Sequence, residues 1–332
     1  MVIGIYDACG FNVKFDEHST FLGGSETWLL EISKALSDMG HMVFLFCNAK
    51  FHTYKNIVFM PKSKLRDVSA KVNYDIFVYS RGIEHFNWIK AKRVGVFLHD
   101  MTLTDYGENQ ALNKMSSIFV LSDWSKQFFQ ETYGHAYDDK IKISFNGVHQ
   151  ELYTERPQKT KSMVWSSCFE RGLKFFITFV VPKIKSAVSD FELKICSYNN
   201  YATKYDGVTF LGRLSKEQLA NEQLNASIWC YPNLGVCEWG SPFKETFCIS
   251  AVENALAGNC ILTTALGGLG TTAHGIEFLT NEFYRNDRID NYEDYGNYLA
   301  QKCVDALNGK FFTTFDATKY TWNNAAKSIL KC

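Results

Sequence analysis

Two glutamates, Glu245 and Glu253, lie eight positions apart in an otherwise apolar segment, residues 241–259, "SPFKETFCISAVENALAGN". If a helix begins near Thr246, Glu245 lies at its N-terminus, where the helix dipole stabilises a carboxylate. Glu253 then lies about two turns inside on nearly the same face, because eight residues rotate by about 800°. A ligand rich in hydroxyl groups would satisfy both carboxylates. The alternative is an ordinary N-terminal charge at Glu245 and a solvent-exposed Glu253.

Two cations follow a strand-like run in residues 164–176, "VWSSCFERGLKFF". Arg171 lies at the start of a predicted helix, and Lys174 follows about one turn later. Cations at a helix N-terminus oppose the dipole, so they are tolerated best where an anion binds. Solvated surface charges are the alternative.

Two further places suggest a ligand in the first half of the chain. In residues 21–28, "FLGGSETW", Gly23 and Gly24 precede Ser25, which is a plausible N-cap with Glu26 in the first turn. Glycines let backbone approach a ligand closely, and amides at a helix start attract phosphate, although a tight turn with an ordinary cap gives the same pattern. In residues 94–101, "VGVFLHDM", a strand ends in His99 and Asp100. That histidine is either a ligand contact or a packed residue.

The elements that must position these residues alternate between short apolar runs and amphipathic stretches, which predicts parallel sheets covered by helices. The first half contains predicted strands at 2–6, 42–47, 75–79, 94–98, 117–121 and 141–145, and a helix over 25–40. The second half contains predicted strands at 162–168, 191–197, 207–212, 227–232 and 259–265, and helices over about 171–188, 215–225 and 246–257. The fold class is therefore α/β, with two Rossmann-like doubly wound domains.

The alternation breaks in residues 147–162, "GVHQELYTERPQKTKS", which are polar and contain one of five prolines. We predict a first domain over 1–150, a linker over 151–161, a second domain over 162–312 and a C-terminal helix within 313–332. Ligands of open parallel sheets bind at the carboxyl ends of the strands. The expected ligand site is a central cleft that the two domains face.

Bulk properties exclude several classes of protein. Lys plus Arg and Asp plus Glu are equal at 35 each, so the surface as a whole does not attract nucleic acid or an anionic membrane. Ten cysteines are scattered without metal-ligand spacing and are expected to be reduced thiols of a cytoplasmic protein. The sequence predicts neither a secretion signal nor a membrane span.

The motifs together resemble the retaining nucleotide-sugar glycosyltransferases of family four, which have the GT-B fold. The resemblance rests on "GGSE", "FVLSDWSKQFF", "ISFNGV", "SSCFERGL" and the two glutamates followed by "NALAGN", which occur in the family's order over nearly the whole chain. The glutamate pair and the R-G-L segment are its more specific parts.

The resemblance implies a role for each candidate in the second half. Glu245 would hydrogen-bond the donor sugar, and Glu253 would bind the ribose. Arg171, with Lys174, would neutralise the diphosphate leaving group. Sugar and phosphate oxygens would be held by the backbone amides of Phe247, Cys248 and Ile249. The base would be contacted in the segment "FLGRL", at Gly212, Arg213 and Leu214.

In the first half, Gly23 and Gly24 would approach the diphosphate, and His99 would contact the sugar near the reacting carbon. The catalytic set implied by the resemblance is therefore Glu245, His99 and Arg171. The sequence departs from the family in two ways. The chain is shorter than is usual in the family and leaves little beyond the tail helix, 313–332, which the resemblance implies crosses back onto the first domain. Where many members carry a first arginine, this chain has Ser166, Ser167 and Cys168. Three alternatives could replace this missing positive charge: Lys174, Arg213, or the amides of helix and loop backbone.

The implied reaction is retaining transfer of a hexose from a nucleoside-diphosphate sugar to an acceptor hydroxyl. GDP-mannose and UDP-glucose are the leading donors, and the acceptor is a glycan, a lipid or a small molecule. No metal or other cofactor is expected, because GT-B enzymes do not need one and no D-x-D segment is present. Two alternatives remain open: a non-catalytic two-domain sugar or nucleotide receptor, and a sugar-nucleotide epimerase of the same fold.

Overall fold

The computed structural model describes the chain except for residues 9–21, 105–108, 197–203, 234, 238–241, 273–276, 280–282, 286–287, 290 and 312–314. Phe21, Ser197, Ser241 and the predicted boundary at 312/313 therefore lie outside the described residues. The described chain forms two compact units, Met1–Gly147 with Thr318–Cys332, and Val148–Ala317. None of its described helices is long and apolar enough to cross a bilayer.

The first unit is built on an eight-stranded sheet of the described residues, in the order β3-β4-β2-β1-β5-β6-β7-β8. All neighbours are parallel except the edge strand β3, which runs antiparallel to β4. The strands are β1 (Val2–Asp7), β2 (Met42–Cys47), β3 (His52–Tyr54), β4 (Ile57–Pro61), β5 (Tyr74–Ser80), β6 (Ala91–Phe97), β7 (Ser117–Val120) and β8 (Ile141–Ile143). The central strands are continuous apolar runs, as expected for parallel strands that are buried on both faces.

The described helices of this unit are α1 (Gly24–Asp38), α2 (Leu65–Ser69), α3 (Asp123–Tyr133) and the C-terminal helix α10 (Trp322–Leu330), which is numbered in chain order with those of the second unit below. The predicted N-cap of α1 is wrong by two residues. Gly23, in an extended conformation, is the N-cap, and Ser25 lies inside the helix, where its hydroxyl donates to Glu26. Helix α10 packs against α1, and a side chain at Gly147 would collide with the backbone of Trp322.

The second unit is built on a six-stranded parallel sheet of the described residues, in the order β11-β10-β9-β12-β13-β14. A small antiparallel pair, β15 with β16, lies apart from it. The strands are β9 (Ser162–Trp165), β10 (Glu192–Cys196), β11 (Val208–Gly212), β12 (Ile228–Tyr231), β13 (Cys260–Thr264), β14 (Glu277–Leu279), β15 (Tyr284–Arg285) and β16 (Arg288–Ile289). All five strands predicted for this half are present, each shorter than predicted.

The described helices of this unit are α4 (Leu173–Phe175), α5 (Val181–Ala187), α6 (Lys216–Asn225), α7 (Ile249–Leu256), α8 (Leu269–Thr272) and α9 (Tyr292–Leu307). The single helix predicted over 171–188 is interrupted. It begins after Gly172, and a π-helical turn, Phe176–Val180, separates α4 from α5. Pro182 has no N–H to donate one turn back, so the regular pattern cannot continue through this position.

The predicted linker, 151–161, lies within the second unit. Tyr153 is buried against α6, among Ala220, Leu224 and Ala257, and its hydroxyl donates to Gln223 at 2.6 Å. This buried, hydrogen-bonded tyrosine fixes the polar segment to the second unit. The polar composition of the segment does not reveal the contact.

Candidate functional site

The carboxyl edge of the second unit's sheet carries most of the candidate residues. Strand β9 ends at Trp165 and leads through a 3₁₀ turn, Phe169–Arg171, into α4. The neighbouring strand β12 ends at Tyr231 and leads through residues 232–248 into α7. Because parallel strands end at the same edge, the residues that follow β9 and β12 are brought together.

Arg171 and Glu245 form an ion pair at this edge. Nη1 of Arg171 lies 3.0 Å from Oε1 of Glu245, with 31% of the arginine side chain and 11% of the glutamate side chain exposed. The Arg171 guanidinium also lies over the ring of Phe243, 4.2 Å from its centroid. Burial lowers the pKa of Arg171, but Glu245 raises it, and the net shift is upward. Arg171 is therefore a permanent cation whose position is fixed on two sides.

Two backbone contacts position Phe243 beside Arg171. Val236 and Pro242 form an isolated antiparallel bridge, and the amide of Phe243 donates to the carbonyl of Gly235 at 2.8 Å. Pro242 and Phe243 are therefore held beside Val236 and Gly235, and the Phe243 ring contacts Arg171.

Tyr231 contacts the same carboxylate. Its hydroxyl donates to Oε1 of Glu245 at 3.0 Å. Burial, followed by the charge of Glu245, raises the pKa of Tyr231 well above its usual value, so the phenol stays protonated as a donor. Oε1 of Glu245 therefore accepts from both Tyr231 and Arg171.

The start of α7 differs from the predicted one, and this corrects the placement of both glutamates. The helix begins at Ile249, so Glu245 lies four residues before the first helical residue, and Glu253 is in its second turn. Cys248 precedes the helix with a φ of 70°, the left-handed region that favours glycine. This left-handed residue turns the chain sharply into α7, whose first amides have no partners inside the helix.

The loop after β13 holds this turn in place. The amide of Gly268 donates to the carbonyl of Glu245, and Thr272 donates to the carbonyl of Phe247 at 2.5 Å. A side chain at Gly268 would collide with the carbonyl of Thr246. The backbone around Phe247, Cys248 and Ile249 is therefore fixed from behind. Burial, followed by the charge of Glu245, raises the pKa of the Cys248 thiol well above its usual value.

Glu253 is buried in α7, and its Oε1 lies 3.4 Å from Nζ of Lys216, the first residue of α6. A capping box formed by Ser215 and Gln218 fixes the start of α6. The predicted base-binding residues directly precede it: Gly212 ends β11 with a φ of 70°, Arg213 is exposed and Leu214 is half-buried. The same helix start therefore carries the predicted base contacts and the partner of Glu253.

Lys174 and Ser166 differ from Arg171 in their surroundings. Lys174 is exposed on α4, and its ammonium group makes no ion pair within the described part of the chain. Ser166, at the end of β9, shares a hydroxyl hydrogen bond of 3.1 Å with Ser250 in the first turn of α7. Of the three residues in the place of the absent arginine, Ser166 therefore contributes a neutral hydroxyl that contacts α7.

The candidate residues of the first unit lie around the start of α1 and the end of β6. Gly23 and Gly24 are exposed, and a side chain at Gly23 would meet the carboxylate of Glu26. His99 is buried between Trp28 of α1 and Phe97 of β6, with both ring centroids 4.8 Å away. Its pKa is well below 6.5, because of burial and then Arg81. The imidazole is therefore neutral at physiological pH.

Sequence reasoning missed four contacts of this arrangement: Tyr231, Phe243, Lys216 and Arg81. Tyr231 ends β12 and is the next-to-last residue of the predicted strand 227–232, before Pro232, and this position was a usable signal. No pattern in the sequence pairs Phe243 with Arg171, because only the folded structure brings these two residues into contact. Among the described residues, no group of three histidine, cysteine, aspartate or glutamate side chains has the arrangement of a metal site.

No protein-family model matches the sequence, and neither does any curated protein. Solved structures match over almost the whole chain. Sucrose-phosphate synthase from Thermosynechococcus elongatus has 12% identity and a TM-score of 0.67, with 99% of this chain and 97% of that chain covered. WaaG, a glycosyltransferase involved in lipopolysaccharide biosynthesis, has 13% identity and a TM-score of 0.62, with 100% and 95% covered.

HepE from Anabaena, in a structure that contains UDP-glucose, has 15% identity and a TM-score of 0.60, with 100% of this chain and 98% of that chain covered. At these identities the likeness concerns the fold. The predicted fold class is confirmed: two Rossmann-like α/β units with parallel sheets give this chain the GT-B fold.

Proposed function

We propose that this protein is a glycosyltransferase that moves a hexose from a nucleoside-diphosphate sugar to an acceptor hydroxyl, with retention at the anomeric carbon. The observation that carries the proposal is the fixed Arg171–Glu245 pair beside the left-handed turn into α7. It combines a permanent cation, a carboxylate and helix-start amides at the carboxyl edge of a parallel sheet, in a fold shared with glycosyltransferases.

Each group has a defined task in this proposal. Arg171, with Lys174, stabilises the diphosphate. The amides of Phe247, Cys248 and Ile249 receive phosphate and sugar oxygens. Oε2 of Glu245 accepts a sugar hydroxyl, while Tyr231 and Arg171 hold Oε1. Glu253 binds the ribose, Gly212, Arg213 and Leu214 contact the base, and the first unit contributes Gly23, Gly24 and His99.

The proposed step exchanges one bond for another on the same face of the sugar. The bond from the anomeric carbon to the phosphate oxygen breaks, and a bond to the acceptor oxygen forms. The acceptor proton passes to the leaving phosphate, so the nucleoside diphosphate is released. Negative charge grows on that diphosphate in the transition state, and Arg171 with the α7 amides stabilises it.

The proposal includes no metal ion. The charge on the leaving group is met by a guanidinium that stays protonated at every physiological pH and by backbone amides, which perform the work that Mg²⁺ or Mn²⁺ performs elsewhere. Neutral His99 contacts the sugar as a hydrogen-bonding group and carries no positive charge.

UDP-glucose is the first donor to test, because the HepE structure of the same fold contains it, and GDP-mannose is the second. Calorimetric titration of the purified chain with nucleotide sugars, nucleoside diphosphates and free sugars tests the donor. Incubation of the preferred donor with candidate glycan, lipid and small-molecule acceptors tests the reaction. A new glycoside with a free nucleoside diphosphate supports a transferase, an isomerised sugar indicates an epimerase, and unchanged ligand indicates a receptor.

A further inference from the structure

Arg171 has two competing anionic partners under the proposed function. Its Nη1 atom already makes a 3.0 Å ion pair with Glu245, a residue of the same unit. The proposed function assigns the same guanidinium to the diphosphate. A cation that is neutralised by a fixed carboxylate attracts a second anion less strongly than a cation without such a neighbour.

Neighbouring residues hold Glu245 in place, so it cannot move away from Arg171 without losing other hydrogen bonds. Tyr231, fully buried, donates to the same oxygen that Arg171 contacts. The carbonyl of Glu245 also accepts from the amide of Gly268. On the other side of the pair, the guanidinium carbon of Arg171 lies over the ring of Phe243, 4.2 Å from its centroid. Glu245 is therefore a permanent component of the electrostatic field at Arg171.

We propose that Glu245 weakens the binding of the nucleoside-diphosphate product by neutralising Arg171, so that the cation which assists departure of the leaving group does not retain it afterwards. This inference rests on the proposed function, because it takes the diphosphate as the ligand of Arg171. Glu245 thus has two tasks: it accepts a sugar hydroxyl from the donor, and it limits the affinity for the product that has lost this sugar.

The charge of Glu245 has opposite effects on the two ligands. With the intact donor, the competition of Glu245 for Arg171 is offset by the hydrogen bond to the sugar. After transfer, the sugar is gone and only the competition for Arg171 remains. The ratio of product affinity to donor affinity is therefore lower than Arg171 alone would give.

The test is a double-mutant cycle measured by calorimetry on the full chain, with UDP and GDP as probes and uridine and guanosine as uncharged controls. Glu245→Gln keeps the hydrogen-bonding shape and removes the charge. We expect it to tighten binding of the preferred nucleoside diphosphate at least about fivefold, with the nucleoside unchanged. In an Arg171→Ala background, the same Glu245→Gln change should alter diphosphate affinity by less than about twofold.

Glu170→Gln is the matched control, because it removes a carboxylate that is next to Arg171 in the chain but is not its ion-pair partner. It should change diphosphate affinity by about twofold or less. Equal or weaker binding by Glu245→Gln than by the parent overturns the inference. An undiminished gain in the Arg171→Ala background also overturns it, since Glu245 then acts on the phosphate directly. If the parent binds neither diphosphate at millimolar concentration, the proposed function itself fails.

Glu245→Asp keeps the cycle interpretable if the glutamine variant is poorly folded. Its shorter side chain retains the charge but lengthens the pair, and we expect an intermediate gain of about twofold to threefold. An aspartate variant that binds the diphosphate as weakly as the parent contradicts the inference.

Discussion

The hydroxyls of Ser166 and Ser250 join the end of β9 to the first turn of α7 through a hydrogen bond of 3.1 Å. Ser166 is one of the three residues, with Ser167 and Cys168, that stand where the resemblance leads us to expect an arginine. In the proposed site, Arg171 is therefore the cation on which diphosphate binding mainly depends, and an arginine added near Ser166 would lie beside the α7 amides.

We predict that Arg171→Ala lowers the affinity for the nucleoside diphosphate by more than tenfold and leaves the nucleoside unaffected. Truncating one partner of a charge-assisted hydrogen bond typically costs about 2 to 5 kcal/mol, and the competing Glu245 places this site toward the lower end. Calorimetric titrations of parent and variant with both ligands provide the measurement. Weakening of the nucleoside to the same extent would show that Arg171 has a structural role.

Restoring the absent cation extends this prediction. Ser166→Arg should recover part of the diphosphate affinity of Arg171→Ala, because its position faces the first turn of α7 through Ser250. Ser167→Arg is the second variant to test, because Ser167 also stands where the resemblance places the absent arginine, and its carbonyl accepts from the indole of Trp165 at 3.0 Å. It too should recover part of the affinity, and recovery by neither variant would contradict the prediction.

The two glutamates should have separable effects on ligand recognition. Glu253→Gln should weaken binding of the nucleoside as well as the nucleoside diphosphate, because the proposed function assigns the buried carboxylate of Glu253 to the ribose that both ligands contain. Glu245→Gln should reduce discrimination between nucleotide sugars that differ at a sugar hydroxyl, by about tenfold or more. Competition titrations with epimeric donors measure this discrimination. If both variants keep the parent's affinity and selectivity, the assignment of the two glutamates is wrong.

The sequence predicts the sheets well because parallel strands are continuous apolar runs, and such runs are visible without knowledge of their neighbours. All eleven predicted strands are present. Among the described elements, the sequence analysis missed the strands β3, β4, β14, β15 and β16 and the helices α2, α3, α8 and α9. Element ends depend on local turns: α7 starts three residues later than predicted because Cys248 adopts a left-handed conformation.

The site was only partly readable for a related reason. Arg171 and Glu245 were identified separately, but their ion pair joins residues 74 positions apart and depends on the fold. The same holds for Lys216 with Glu253, and for Phe243 with Arg171. Residue type and local spacing indicate chemistry, whereas partners follow from which strands end side by side.

The left-handed backbone at Cys248 predicts an unusual order of stability among variants. A β-branched side chain is strained at φ 70°, so Cys248→Val should be less stable than Cys248→Gly by about 1 to 2 kcal/mol. Cys260 is a matched control, because it is equally buried but lies in β13. There the order should reverse, since valine favours strands and glycine weakens them. Urea unfolding of the four variants measures both differences, and the same order at the two sites would contradict the expectation.

Excess EDTA should leave donor binding and transfer unchanged, because Arg171 and the α7 amides provide the positive field at the leaving group. The measurement is the initial rate and the donor affinity with and without chelator. Complete loss of activity that Mn²⁺ or Mg²⁺ restores would replace the proposed mechanism by a metal-dependent one.

The buried neutral state of His99 predicts how stability depends on pH. Its pKa is lowered well below 6.5 by burial and Arg81, whereas the unfolded chain protonates near 6.5. Between these values the unfolded chain binds a proton that the folded chain does not, so the free energy of unfolding falls as pH decreases below about 6.5. This contribution has a slope of at most about 1.4 kcal/mol per pH unit. His99→Phe retains an aromatic ring between Trp28 and Phe97 and removes the titration. Urea unfolding of the full chain at pH 8 and at pH 5.5 should therefore show a smaller acid-induced loss in the variant than in the parent, and equal losses would show that His99 is protonated in the folded protein.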